Sequence, residues 1–218
     1  MRNKALLLLP ALLMLCGSAF AQIPVEVFGG HARTTLDVMF FKNFKARDGE
    51  RSPFLLFNRN RASIDYRMTD STYLPLFGFT EALSYNHPSL KGFAPVAAGQ
   101  VLMTGVYAKA GVQYAHLSEN FTFFGWTVCG IRNHPDVDVF ALARYTPNIS
   151  KQLKLFAQAE SLSVFPTLSG GNMSFTQRLR LGLKLGQFQF GAGADLTQAG
   201  RQAWITNTNA GGFLRIEL

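Results

Sequence analysis

The sequence predicts an all-β fold: an antiparallel transmembrane β-barrel of about ten strands, with eight or twelve as the alternatives. Three observations predict it. Over 174–185 the odd positions Phe175, Leu179, Leu181, Leu183 and Leu185 are apolar, Gln177 excepted, against Thr176, Arg178, Arg180, Gly182 and Lys184. After Gly186-Gln187 the same period resumes as Phe188, Phe190, Ala192, Ala194 and Leu196 against Gln189, Gly191, Gly193, Asp195 and Thr197. A period of two on this scale is a β-hairpin with one face suited to lipid and one to a polar lumen. Second, the chain is 48% hydrophobic, yet after the leader no run reaches the ~20 apolar residues of a membrane helix. Third, the connections between predicted strands alternate between short and long, as periplasmic turns and outer loops do.

Residues 1–21 predict a secretory signal peptide: basic Arg2 and Lys4, an apolar run from Ala5 to Leu15, and Ala19-Phe20-Ala21 for cleavage after Ala21. Export leaves Cys129 as the one cysteine of the mature chain, so no internal disulfide can form. The net charge is +8, and removal of Arg2 and Lys4 with the leader lowers it to +6. A basic chain raises nucleic acid as a partner; export replaces that with anionic lipid or anionic solutes.

Residues 22–32 are expected to form a periplasmic lead-in and 33–218 the barrel. The strands follow in order. Residues 33–42 place Thr34, Leu36, Val38 and Phe40 on one side, and a charged loop fills 43–52. Residues 53–67 set Ala62, Ile64 and Tyr66 against Arg59, Arg61, Ser63 and Asp65, before a short turn at 68–71. Residues 72–85 set Leu74, Leu76 and Ala82 against Phe77, Phe79 and Glu81. Proline and glycine make 86–100 a long loop; twelve strands would need a strand pair there, and eight would need the loss of the first two.

Residues 101–117 alternate Val106, Ala108, Ala110, Val112 and Tyr114 with Gly105, Tyr107, Lys109, Gly111 and Gln113. A tight turn at 118–120 leads to 121–130, where both faces are apolar. Residues 137–146 follow a turn at 132–136, with Ala141, Ala143 and Tyr145 opposite Asp138 and Arg144. A turn at 147–150 precedes 151–163, with Leu153, Leu155, Ala157 and Ala159 against Lys154, Gln158 and Glu160. Loops at 164–173 and 198–207 flank the hairpin described first. Tyr66, Tyr114, Tyr145 and Phe188 all fall on the apolar face beside predicted periplasmic turns, and are expected to form one aromatic girdle at the membrane boundary.

The chain closes on Ala210, Gly212, Leu214, Ile216 and Leu218, alternating to its last residue. This ending resembles the assembly signal of small bacterial outer-membrane β-barrels of the porin-like kind, with Leu218 in place of the usual aromatic. The stretch Asp37-Val38-Met39-Phe40-Phe41-Lys42, with Phe57-Asn58-Arg59-Asn60-Arg61, is similar to uncharacterised barrels of the Bacteroidetes type. That resemblance implies an outer-membrane location, contact with lipid and lipopolysaccharide, and insertion by the barrel-assembly machinery. It implies no substrate.

Face parity predicts a lumen charge network of Arg59, Arg61, Lys109, Arg144, Lys154, Arg178, Arg180, Lys184 and Arg215 with Asp65, Glu81, Asp138, Glu160, Asp195 and Glu217. Ten strands lie near the size that side chains just fill, so a charge-packed structural or accessory envelope component is the expected role. A narrow anion-preferring pore is one alternative. A subunit docked to a larger secretion or uptake complex is another, because the doubly apolar 121–126 would suit a protein partner. No catalytic constellation is defensible, so no enzyme is predicted, and no cofactor. Asn86-His87-Pro88 and Asn133-His134-Pro135 match turn chemistry, and no carboxylate or cysteine stands at ligand spacing from them, so no metal is expected. Gly191-Ala192-Gly193 lies inside a strand, where its small residues would give room to arginine and lysine from a neighbour.

Overall fold

The computed structural model describes residues 23–45, 49–66, 76–131, 136–168 and 171–218. The expected leader and its cleavage point lie outside them, as do the turn at 68–71 and His134. Twelve strands form: β1 (Pro24–Gly30), β2 (Arg33–Lys45), β3 (Arg51–Asp65), β4 (Leu76–Tyr85), β5 (Phe93–Leu102), β6 (Gly105–Leu117), β7 (Phe121–Gly130), β8 (Val137–Tyr145), β9 (Leu153–Phe165), β10 (Met173–Leu185), β11 (Phe188–Gly200) and β12 (Trp204–Glu217). Each pairs with its sequence neighbours, and β1 pairs antiparallel with β12, from Pro24 opposite Glu217 to Gly30 opposite Gly211. Closure leaves no edge to be satisfied by water.

Twelve, the alternative, replaces the expected ten. One extra strand, β1, lies in the segment expected as a lead-in. The other is β5, in the expected loop at 86–100, and a two-residue turn at 103–104 separates it from β6. β5 shows little period-two contrast, because both faces carry small apolar residues: Ala94, Val96 and Ala98 inward, Pro95, Ala97 and Gly99 outward. Pro95 is tolerated because the β4 ladder begins one residue later, at Val96, so no hydrogen bond to β4 is lost there. His87 and Pro88 open a single 3₁₀ turn, where His87 Nδ1 accepts from the Ser89 amide at 3.3 Å.

Adding β5 reverses the sidedness of everything before it. The end of β2, the start of β3 and the connection at 86–92 share the end of the barrel that holds the chain termini with the connections at 118–120, 146–152 and 186–187. Tyr114, Tyr145 and Phe188 stand at that terminal end. Tyr66 follows β3 at the far end, where its hydroxyl lies 2.5 Å from that of Thr34. The four aromatics expected in one girdle are therefore split between two rims. Phe54–Tyr85 and Phe93–Tyr114 ring pairs, at 5.3 and 5.0 Å, lie at the terminal rim. Phe165–Phe175 and Phe175–Trp204 pairs, at 5.7 and 5.6 Å, lie at the far rim.

The usual distribution of polarity is inverted. Leu181 is 61% exposed on the outside while its neighbour Arg180 is 4% exposed inside. Such an exterior is stable only against lipid. Inside, the walls differ. Phe57, Phe124, Trp126, Phe140 and Leu142 are all buried as an apolar cluster, with Phe57 and Phe124 stacked at 5.0 Å. This accounts for the doubly apolar 121–126: Phe124 and Trp126 fill the lumen, and Phe121 and Phe123 face outward. The facing wall, β9–β12 with β1–β3, carries most of the charges, with Lys109 on β6 and Asp138 and Arg144 on β8 outside it.

Asn209 locks the seam. Fully buried on β12, its Oδ1 accepts from the amides of Ala32 and Arg33 at 2.9 and 3.2 Å, and its Nδ2 donates to the Arg33 carbonyl at 3.1 Å. Gly30 is required beside it, because a Cβ there would lie 2.2 Å from Asn209 Oδ1.

Candidate functional site: the charged lumen

Strand alternation places the charges, and register decides which of them meet. On β3, Arg59 and Arg61 lie on the inward face with buried Phe57. Across the adjacent ladder, Arg59 Nη2 and Nε donate to the two oxygens of Asp37 at 2.7 and 3.2 Å, and Arg61 donates to the same carboxylate. Arg59 also reaches Glu160 on β9 at 2.8 Å. β3 and β9 are six strands apart in either direction round the closed order, so this ion pair crosses the lumen between opposite walls.

From Glu160 the network continues along the charged wall. Arg178 lies 3.6 Å from Glu160 and 4.0 Å from Asp195, and Arg180 donates to Asp195 at 2.7 Å. Arg180 Nε also donates to Glu26 at 3.0 Å, and Arg215 holds the other oxygen of Glu26 through Nε at 3.0 Å. Gln158 links the remainder, accepting from Arg144 at 2.7 Å and Arg215 at 3.1 Å while donating to Glu160 at 2.7 Å. Phe28 lies under the Arg180 guanidinium at 3.8 Å and Phe156 under that of Arg215 at 4.8 Å, so the cations are packed as well as paired.

Glycines make the wall possible. A Cβ on Gly193 would lie 2.7 Å from Arg180 Cδ, so the residue gives that side chain its path to Glu26. Gly182 and Gly191 face each other across β10–β11, with Phe156 and Phe213 on the flanking strands. Those two rings, 5.5 Å apart, cover the bare backbone.

Elsewhere, Lys109 pairs with Asp138 at 2.5 Å and Lys184 with Glu217, whose second oxygen accepts from Gln189 at 2.5 Å. Lys154 points to the terminal rim and lies 3.5 Å from exposed Glu119, apart from the network. Asp65 is opposite Arg33 near the far end.

Glu81 is the misplaced residue. Its strand was expected to turn Leu76 and Ala82 to lipid; instead Ala82 is buried in the lumen, and Phe77, Phe79, Glu81, Leu83 and Tyr85 face out. Glu81 accepts from Asn58 on that outer surface. Two aromatics beside Glu81 made the outward face of β4 look mixed, and glycine and threonine did the same for its inward face.

Sequence reasoning omitted two central carboxylates. Asp37 was findable, since Leu36 and Val38 alternate around it on the outward face. Glu26 was hidden because its strand was not recognised.

Beyond the Arg59–Glu160 bridge, toward the far end, is a cavity of about 130 Å³ whose walls include Arg59, Arg61, Arg178, Gln100, Trp126 and Phe140.

A closed, even-stranded antiparallel barrel with a lipid-suited exterior and an ion-paired lumen defines the class: a transmembrane β-barrel of the outer-membrane type. The chain matches no protein-family model and no curated relative. A solved structure described as a KdgM porin superposes with TM-score 0.47 at 7% identity, covering 90% of this chain and 99% of that one.

Proposed function

We propose that the protein is a narrow outer-membrane pore with a preference for small anions. The observation that carries the proposal is the group of Arg59, Arg61 and Arg178 on one lumen cavity. Cations are also in excess along the network: Arg59, Arg61, Arg144, Arg178, Arg180 and Arg215 are matched by only Glu26, Asp37, Glu160 and Asp195. Rings of arginine and lysine select anions in pores, and twelve strands enclose more space than the ~8 that side chains fill. Lipid and lipopolysaccharide would surround the exterior, and the barrel-assembly machinery would act during insertion.

The Arg59–Glu160 bridge favours a second reading, in which the lumen is closed and the barrel is a structural or accessory envelope component. Docking to a larger complex is a further reading, with Phe121 and Phe123 on the outer surface for a partner to cover while Phe124 and Trp126 pack inside the barrel. Planar-bilayer recording under a potassium chloride gradient tests the proposal. The expected result is small conductance steps with a reversal potential of anionic sign, which Arg61→Glu with Arg178→Glu shifts toward cations. A silent wild-type barrel would refute the pore and leave the structural role.

A further inference from the structure

We propose that the cavity bounded by Arg61, Arg178, Gln100 and Trp126 is a binding site for a small planar monoanion of the carboxylate class. It deepens the pore reading and rests on it only for ligand access.

Three features point to such a ligand. The first is unmet hydrogen bonding. Trp126 is 6% exposed, yet its Nε1 has no partner among the described residues, nor does Arg61 Nε. Both residues line the same cavity. Buried polar atoms without partners are rare enough to require a cause, and a bound anion supplies one for both N–H donors.

The second is charge. Three guanidinia border the cavity, and the carboxylates bound closely to them are two: Asp37, shared by Arg59 and Arg61, and Glu160, shared by Arg59 and Arg178. Asp195 is committed to Arg180 at 2.7 Å and stands 4.0 Å from Arg178. One further negative charge balances the group.

The third is shape. The guanidinium fork presents parallel donors that match two oxygens in one plane better than they match a spherical halide. Phe140 and Trp126, with ring centroids 5.6 Å apart, supply apolar surface for a short alkyl group. A volume of about 130 Å³ admits acetate or propionate and excludes a sugar ring with its hydration shell.

The test uses the folded full-length barrel in detergent. Trp204→Phe, at the far rim, leaves Trp126 as the sole tryptophan reporter. Sodium acetate is titrated against sodium chloride at constant ionic strength. The expected result is a saturable change in Trp126 emission with acetate that chloride does not produce, with half-saturation raised about tenfold by Arg178→Gln. Trp126→Phe is the second variant: it keeps the aromatic wall and removes the donor, and should lose most of the acetate-dependent rise in melting temperature. Identical or non-saturating responses to acetate and chloride would overturn the site. Anion conductance without saturable binding sinks the site and spares the pore; saturable binding in a silent barrel does the reverse.

Discussion

Glu160→Ala should be among the most damaging single changes in this barrel. The Glu160 side chain is 4% exposed and takes an ion pair from Arg59 at 2.8 Å, a second from Arg178 at 3.6 Å, and the Gln158 amide at 2.7 Å. After truncation Arg59 keeps its two bonds to Asp37, but Arg178 is left with Asp195 at 4.0 Å. Stranding one partner of a buried pair costs about 3–5 kcal/mol. Glu81 provides the control. It lies on the outward side of β4, where Glu81→Leu removes the hydrogen bond that Asn58 donates and should cost only about 1 kcal/mol. Urea unfolding from lipid vesicles, followed by tryptophan fluorescence, measures both. A cost below about 1 kcal/mol for Glu160→Ala would show that its charges are wet. Equal costs at the two sites would refute the assignment of lumen and lipid faces on β4.

Three further outcomes follow from the same geometry. Lys109→Ala leaves Asp138, 3% exposed, without its cation, and should cost about 3–5 kcal/mol; Lys109→Met with Asp138→Leu should recover most of that in a double-mutant cycle. Asn209→Ala removes hydrogen bonds to Ala32 and Arg33 at the β1–β12 seam, and should cost about 1–3 kcal/mol in the same urea assay. Gly193→Val places side-chain atoms on the path of Arg180, and should displace it from Glu26 and lower stability about as much as an overpacked core does, ~1–3 kcal/mol.

The sequence by itself determined the barrel and most of the lumen's chemistry. Period two is a local property of the backbone, so Leu179, Leu181 and Leu183 against Arg178, Arg180 and Lys184 disclose both faces without knowledge of any neighbour. The same parity placed Arg59, Arg61, Arg144, Glu160, Asp195 and Arg215 inside. It failed where local contrast was weak. β5 carries alanine and glycine on both faces with Pro95 between them, β1 is seven residues long, and β4 pairs Phe79 with Glu81 on one side. Missing one strand then inverted every earlier connection and moved Tyr66 to the wrong rim, because in a meander the parity of the strand count sets sidedness.

Only the tertiary structure decided which charges meet. Parity names a face, whereas pairing depends on register and on how closure brings distant strands together. Asp37, not Asp65, anchors Arg59 and Arg61, and Glu26 anchors Arg180 and Arg215 across the β1–β12 seam. The Arg59–Glu160 bridge joins walls 101 residues apart in the chain. No period in the sequence encodes that contact, since it exists only once twelve strands have closed on themselves.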